Sequence, residues 1–202
     1  MPRLGCTQAP PVPWGSHFCS YYQTTSELQQ LMFAYLHAGL QDHEGCLWVL
    51  PPWLTPTEAT TALQWVIPQV YDYLSTGQLE LIPAADWYGG QGPMDLQRII
   101  ADGRYKIAQM SARFAGLRVA GDSSWVQSPD QRAQFVQYER IIQDTVQAAN
   151  VLVLCTYPAA GWSPPDMLNV LMNHRSVLCL TSEDGGKSMC GVSKASRRDP
   201  IL

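Results

Sequence analysis

Val151-Leu152-Val153-Leu154-Cys155 is an unbroken apolar run of strand length, preceded by a helical pattern over 129–150 and followed by Thr156-Tyr157-Pro158. A run this short, with no polar alternation, reads as a strand covered on both faces. Comparable runs lie on either side of it in the sequence. Gly45-Cys46-Leu47-Trp48-Val49-Leu50 stops at Pro51-Pro52, and Leu79-Glu80-Leu81-Ile82 stops at Pro83. Gly116-Leu117-Arg118-Val119-Ala120 turns at Gly121-Asp122, Ser176-Val177-Leu178-Cys179-Leu180 reads as a final strand, and a first strand falls at about 16–21. Helical periodicity fills the gaps at 24–40, 57–73 (broken at Pro68), 94–114 and 129–150, with a short helix from Pro164 or Pro165 to Asn173. Gly39 is read as the end of the first helix. Strands separated by helices give an α/β protein: three layers, a mostly parallel sheet and helices on both faces.

The chain has 202 residues, enough for one such domain with a substantial core. Its 46% hydrophobic and 15% charged residues are those of a folded protein. Residues 1–14 read as a Pro-rich lead, 15–180 as the folded domain, and 181–202 as a polar, disordered tail with no periodicity. The formal net charge is -4 and no basic block stands out before the tail, which argues against direct nucleic-acid binding. No stretch reaches the roughly 18–20 apolar residues of a membrane span, and the first residues lack the apolar core of a signal peptide. The six cysteines form no CxxC pair and no regular framework. Reduced thiols in a cytoplasmic protein are the expectation.

Ser16-His17-Phe18-Cys19-Ser20-Tyr21-Tyr22 stands where a nucleotide-binding α/β domain carries its phosphate loop, and it contains none. Gly185-Gly186-Lys187-Ser188 ends like such a loop, but it follows the last strand and lacks the earlier glycine. Strand side chains alternate, so His17 and Cys19 point the same way. Ligands of open parallel sheets bind beyond the carboxyl ends of the strands. Tyr21, Tyr22, Trp53, Asp86, Trp87, Tyr88, Asp122, Trp125 and Tyr157 recur there, which suits an aromatic-walled pocket for a small, partly apolar molecule. Arg118, a guanidinium in an apolar strand, needs a carboxylate or a ligand, and pairing with a residue such as Glu139 is the simpler account. His17, Cys19, Cys155 and His174 form a second candidate set, since imidazole and thiolate are zinc ligands, although their spacing matches no standard zinc pattern.

Taken together, these segments resemble the MEDS family, the methanogen/methylotroph DcmR-type sensory domain. The resemblance runs from about 15 to 180. Its carriers are the 17–22 segment, Ala34-Tyr35-Leu36-His37-Ala38-Gly39-Leu40, the 45–49 strand and Asp86-Trp87-Tyr88. Gly116 to Asp122 with Trp125, Tyr138-Glu139 and Leu154-Cys155-Thr156-Tyr157-Pro158 complete them. It implies a RecA/KaiC-like core without a working phosphate loop, and a sensor of simple hydrocarbon derivatives rather than an enzyme. The expected ligand contacts are His17, Cys19, Tyr22, Trp87, Tyr88, Arg118, Asp122, Trp125, Cys155 and Tyr157. No output module is visible, so signalling through a partner protein is expected, with self-association left open. Two alternatives stand beside it: a metal- or redox-responsive protein built on His17, Cys19 and Cys155, and a degenerate nucleotide-binding enzyme.

Overall fold

A computed structural model describes residues 1–5, 11–89, 94–174, 176–183 and 187–194. Six parallel strands are joined by helices: β1 (Ser16–Tyr22), β2 (Gly45–Leu50), β3 (Leu79–Pro83), β4 (Leu117–Asp122), β5 (Val151–Pro158) and β6 (Ser176–Glu183). A seventh, β7 (Lys187–Lys194), runs antiparallel to β6. The sheet order is β3-β2-β4-β5-β1-β6-β7, which puts β5 and β1 at its centre. The helices are α1 (Thr25–Gln41), α2 (Pro56–Gln64), α3 (Val70–Ser75), α4 (Ala84–Tyr88), α5 (Leu96–Ser111), α6 (Pro129–Val146) and α7 (Pro164–Asn173). The three-layer α/β expectation holds.

Local chemistry starts the helices. Thr24, Thr55 and Ser128 each cap a helix, and Glu27, Glu58 and Gln131 close the reciprocal half of a capping box. Each such cap contributes about 0.5–2 kcal/mol. The break at Pro68 separates α2 from α3, and a short helix, α4, follows β3 directly. Two parts of the expected organisation change. The strand pair β6–β7 occupies much of the segment read as a disordered tail, while residues 184–186 and 195–202 lie outside the described residues. In the proline-rich lead, Leu4 and Val12 are buried and the Val12 N–H donates to the Pro2 carbonyl.

The two-residue period of the strands sorts the core. Phe18, Leu152, Leu154 and Ala120 pack under α1, α2 and α3. Cys19, Val153, Cys155 and Tyr157 face α4, α5, α6 and α7. The first face also buries Arg118 completely. Its Nε donates to Glu44 at 2.7 Å, Nη1 to the Tyr35 carbonyl and Nη2 to the Arg3 carbonyl, and the guanidinium lies over the Tyr35 ring. The carboxylate partner is therefore Glu44, not Glu139. Gly39 does not end α1, which runs on to Gln41. A Cβ at Gly39 would come within 2.7 Å of Arg118 Nε and 2.9 Å of Cys46 Sγ, so the glycine makes room for the arginine.

Removing one partner of a buried ion pair leaves the other charge uncompensated, at a cost of about 3–5 kcal/mol. Arg118→Leu should lower the unfolding free energy by about that amount in a urea titration. Arg118→Leu with Glu44→Leu should recover most of the loss, and a double variant no better than the single would contradict this account.

Candidate functional site

Four metal-competent side chains meet beneath α6 and α7. The second residue of β1 supplies His17, β5 supplies Cys155, α6 supplies Glu139, and His174 caps the C-terminus of α7. One donor atom from each lies within 4.8 Å of all the others, and all four residues are buried. Glu139 Oε2 stands 3.1 Å from both His17 Nε2 and His174 Nε2, and His17 Nε2 is 3.3 Å from Cys155 Sγ. The imidazole rings are 4.1 Å apart. His174 Nδ1 sits 2.8 Å from the Val170 carbonyl, so that nitrogen carries the proton and Nε2 points inward. Contact here is by distance and not by direction: neither Glu139 oxygen nor His174 Nε2 makes an aligned hydrogen bond. Gln143, one turn beyond Glu139, adjoins His17. The amide atoms of Gln143 and the Tyr157 hydroxyl are also buried without an aligned partner.

The electrostatics follow from burial and neighbours. Burial alone would push the Glu139 carboxyl up, but the two imidazoles outweigh it and hold the group well below the usual carboxylate range. Burial, with His174 beside it, lowers His17. Burial pushes the Cys155 thiol well above its ordinary value, with the Glu139 charge adding to the effect. An ionised carboxylate held out of water needs an opposite charge beside it.

The remaining expected contacts do not share one hollow, and the pleat is the reason. Cys19 pairs in register with Cys155 but lies outside the four-donor group, with its Sγ 4.0 Å from the Ser176 carbonyl. Tyr157 walls the group, edge-on to His174. Tyr22, Arg118 and Asp122 have the opposite parity. Asp122 accepts from the Thr156 hydroxyl at 2.8 Å and the Ser124 N–H at 2.9 Å, with Tyr22 beside it. Arg118 is consumed by Glu44, so its expected ligand role is corrected to a structural one. Trp87 turns inward to an apolar cavity of about 40 Å³ under α5.

Tyr88 and Trp125 do line a hollow. An open cleft of about 940 Å³ lies beyond the carboxyl ends of β2, β3 and β4. Pro51, Trp53, Pro83, Ser128 and Gln131 complete much of its wall. The Tyr88 and Trp125 rings stack at 4.7 Å, and Tyr88 reaches the sheet because Gly121 has no side chain: a Cβ there would sit 2.7 Å from its hydroxyl. Phe135 on α6 touches Tyr88, Trp125 and Tyr157, and so joins the cleft to the polar group. Glu139 and Gln143 had no place in the expected site. Their signal was present, because they continue the i, i+4 row that starts at Gln131 and Phe135.

The fold is that of a three-layer α/β domain with an open cleft at the carboxyl edge of its sheet. The chain belongs to the MEDS family, described as the methanogen/methylotroph DcmR sensory domain, whose model matches residues 16–175. No protein of curated function matches the sequence. Among solved structures, the flagellar accessory protein FlaH from Methanocaldococcus jannaschii is similar in fold. It has 16% sequence identity and a TM-score of 0.59, over 91% of this chain and 80% of that one. Among the described residues no helix is long and apolar enough to cross a membrane.

Burial raises the Asp122 carboxyl above its ordinary value of 3.8, despite its hydrogen bonds to Ser124 and Thr156. The folded state therefore holds this proton more tightly than the unfolded chain. Its contribution favours folding at low pH and is lost as pH rises from 3.8 through the raised value. Asp122→Asn should remove that slope. Urea midpoints of the two proteins across this interval check it, and a pH-independent difference between them would contradict it.

Proposed function

We propose that the domain senses a small, partly apolar organic molecule held in the carboxyl-edge cleft, and that it reports occupancy to a partner protein in the cytoplasm. The observation that carries this reading is the cleft itself, with stacked Tyr88 and Trp125 on one wall and prolines on the other. Small-molecule sites occupy about 300–1,000 Å³ and are mostly apolar with a few polar groups. A hollow of about 940 Å³ far exceeds a one-carbon compound, so the favoured ligand is a longer hydrocarbon derivative bearing a polar group. On the cleft wall, Gln131 spends its side-chain oxygen on the Ser128 cap and keeps its amide NH2 as a polar anchor.

A binding role fits the β1–α1 turn better than phosphate chemistry does. A phosphate loop leaves backbone N–H groups open to an anion at a helix N-terminus. Here the Glu27 carboxylate accepts from the Gln23 N–H at 2.6 Å and the Thr24 N–H at 3.4 Å, while Thr24 Oγ1 accepts from the Glu27 N–H. The protein's own anion fills the place. Helix α6 is the natural route for the signal. Its first turn borders the cleft at Gln131, and Glu139 lies eight residues on, about 12 Å along the axis.

A panel of linear alcohols, aldehydes, amines and halides from one to eight carbons, screened by ligand-observed NMR and calorimetry, tests the reading. At least one longer member should bind saturably, and Trp125→Ala should weaken it at least about tenfold, as loss of a buried aromatic anchor does. Hydrogen exchange should slow along 124–135 on binding. Absence of any binder, or binding indifferent to Trp125→Ala, would overturn the cleft as the site. Stoichiometric ATP binding would favour the nucleotide reading instead.

A further inference from the structure

The structure assigns a mononuclear site for a divalent transition metal, with zinc the best fit, to His17 Nε2, His174 Nε2, the Glu139 carboxylate and Cys155 Sγ. This assignment stands apart from the cleft and does not depend on what the cleft binds.

Four ligands at about 2.0–2.3 Å from one tetrahedral ion lie about 3.3–3.8 Å from one another. The observed separations of 3.1, 3.1 and 3.3 Å, with none of the donors more than 4.8 Å apart, bracket that spacing. Shifts of about 1 Å or less in the widest pairs close the set. Charge agrees as well. One carboxylate, one thiolate and two neutral imidazoles balance a divalent ion, leaving a neutral centre, which a dry interior requires. Two imidazoles, a thiolate and a carboxylate together suit zinc and its neighbours rather than magnesium or calcium.

The supporting contacts follow the same pattern. Metal-bound histidines donate their other N–H to a carbonyl or carboxylate, which fixes the tautomer. His174 does this through Nδ1 to Val170, and His17 has Gln143 beside it. The inward Nε2 of His174 stands 3.1 Å from Glu139 Oε2, and His17 Nε2 stands at the same distance from the same oxygen. Neither oxygen of the buried Glu139 carboxylate makes an aligned hydrogen bond, although four donor groups converge on one point. Convergence without alignment is the arrangement a central ion requires. Cys19 is no part of the set, so the His17, Cys19, Cys155 and His174 set expected from sequence becomes His17, Glu139, Cys155 and His174. The ion would tie β1, β5, α6 and α7 together at one point.

The full chain, purified under reducing conditions without chelator, should carry about one zinc per chain by elemental analysis. Unfolding in chelator and refolding with Co²⁺ should give the visible bands of tetrahedral cobalt and a thiolate-to-cobalt charge-transfer band. Cys155→Ser should abolish the charge-transfer band, and Glu139→Gln should reduce metal content at least tenfold. Cys19→Ala should leave both unchanged. Gln143→Leu, which alters no ligand, should weaken metal affinity by about 10–100-fold. The assignment fails if neither zinc nor cobalt reaches stoichiometry in protein that refolds to the native circular dichroism spectrum. It also fails if the charge-transfer band survives Cys155→Ser or disappears in Cys19→Ala. A cluster held by protons alone would show itself as metal-free protein whose stability does not respond to zinc.

Discussion

A carboxylate buried to 2% exposure between two imidazoles is the constraint on which this molecule turns. An ionised group taken out of water is costly unless an opposite charge stands beside it. Glu139 therefore fixes the rotation of α6 about its axis and the approach of α7 to the sheet. It also dictates that a polar residue, His17, must sit in the otherwise apolar central strand β1. The other face repeats the logic with opposite sign, where the Arg118 guanidinium is satisfied by Glu44 and by two carbonyls. Each layer interface thus carries one charge centre embedded in aromatic and aliphatic packing. These centres specify how the helices register on the sheet, a task apolar packing alone leaves loosely defined.

Much of the architecture was legible because it is local. The 151–155 run, the proline stops at Pro51 and Pro83 and the break at Pro68 all encode structure within a few residues. Strand β7 escaped because its side of the chain is polar. Helix α4 is a single turn, too short for periodicity to show.

The site was legible only in part. Alternation along β1 correctly set His17 and Cys19 on one side of the sheet. The same rule, applied to β4 and β5, separates Arg118 and Asp122 from Cys155 and Tyr157, and that step decides which residues share a face. Glu139 depends on how α6 lies across the sheet, which is set by tertiary packing. Glu139 nonetheless interrupts the apolar stripe of Phe135, Tyr138, Ile142 and Val146, and a charge in such a stripe calls for a partner. The carboxyl-edge cleft fared better, because strand ends are fixed by the strands themselves.

The hydrogen bond from Arg118 to the carbonyl of Arg3 spans 115 positions of sequence. It binds the very start of the chain to the middle of the sheet, with Leu4 buried next to it. That arm has nowhere to dock until β4 has taken its place beside β2, so it must be among the last pieces to settle as the polypeptide folds. A molecule shortened at its front end would enclose a guanidinium with one donor dry. The opening residues are in this sense the final stitch of the central layer.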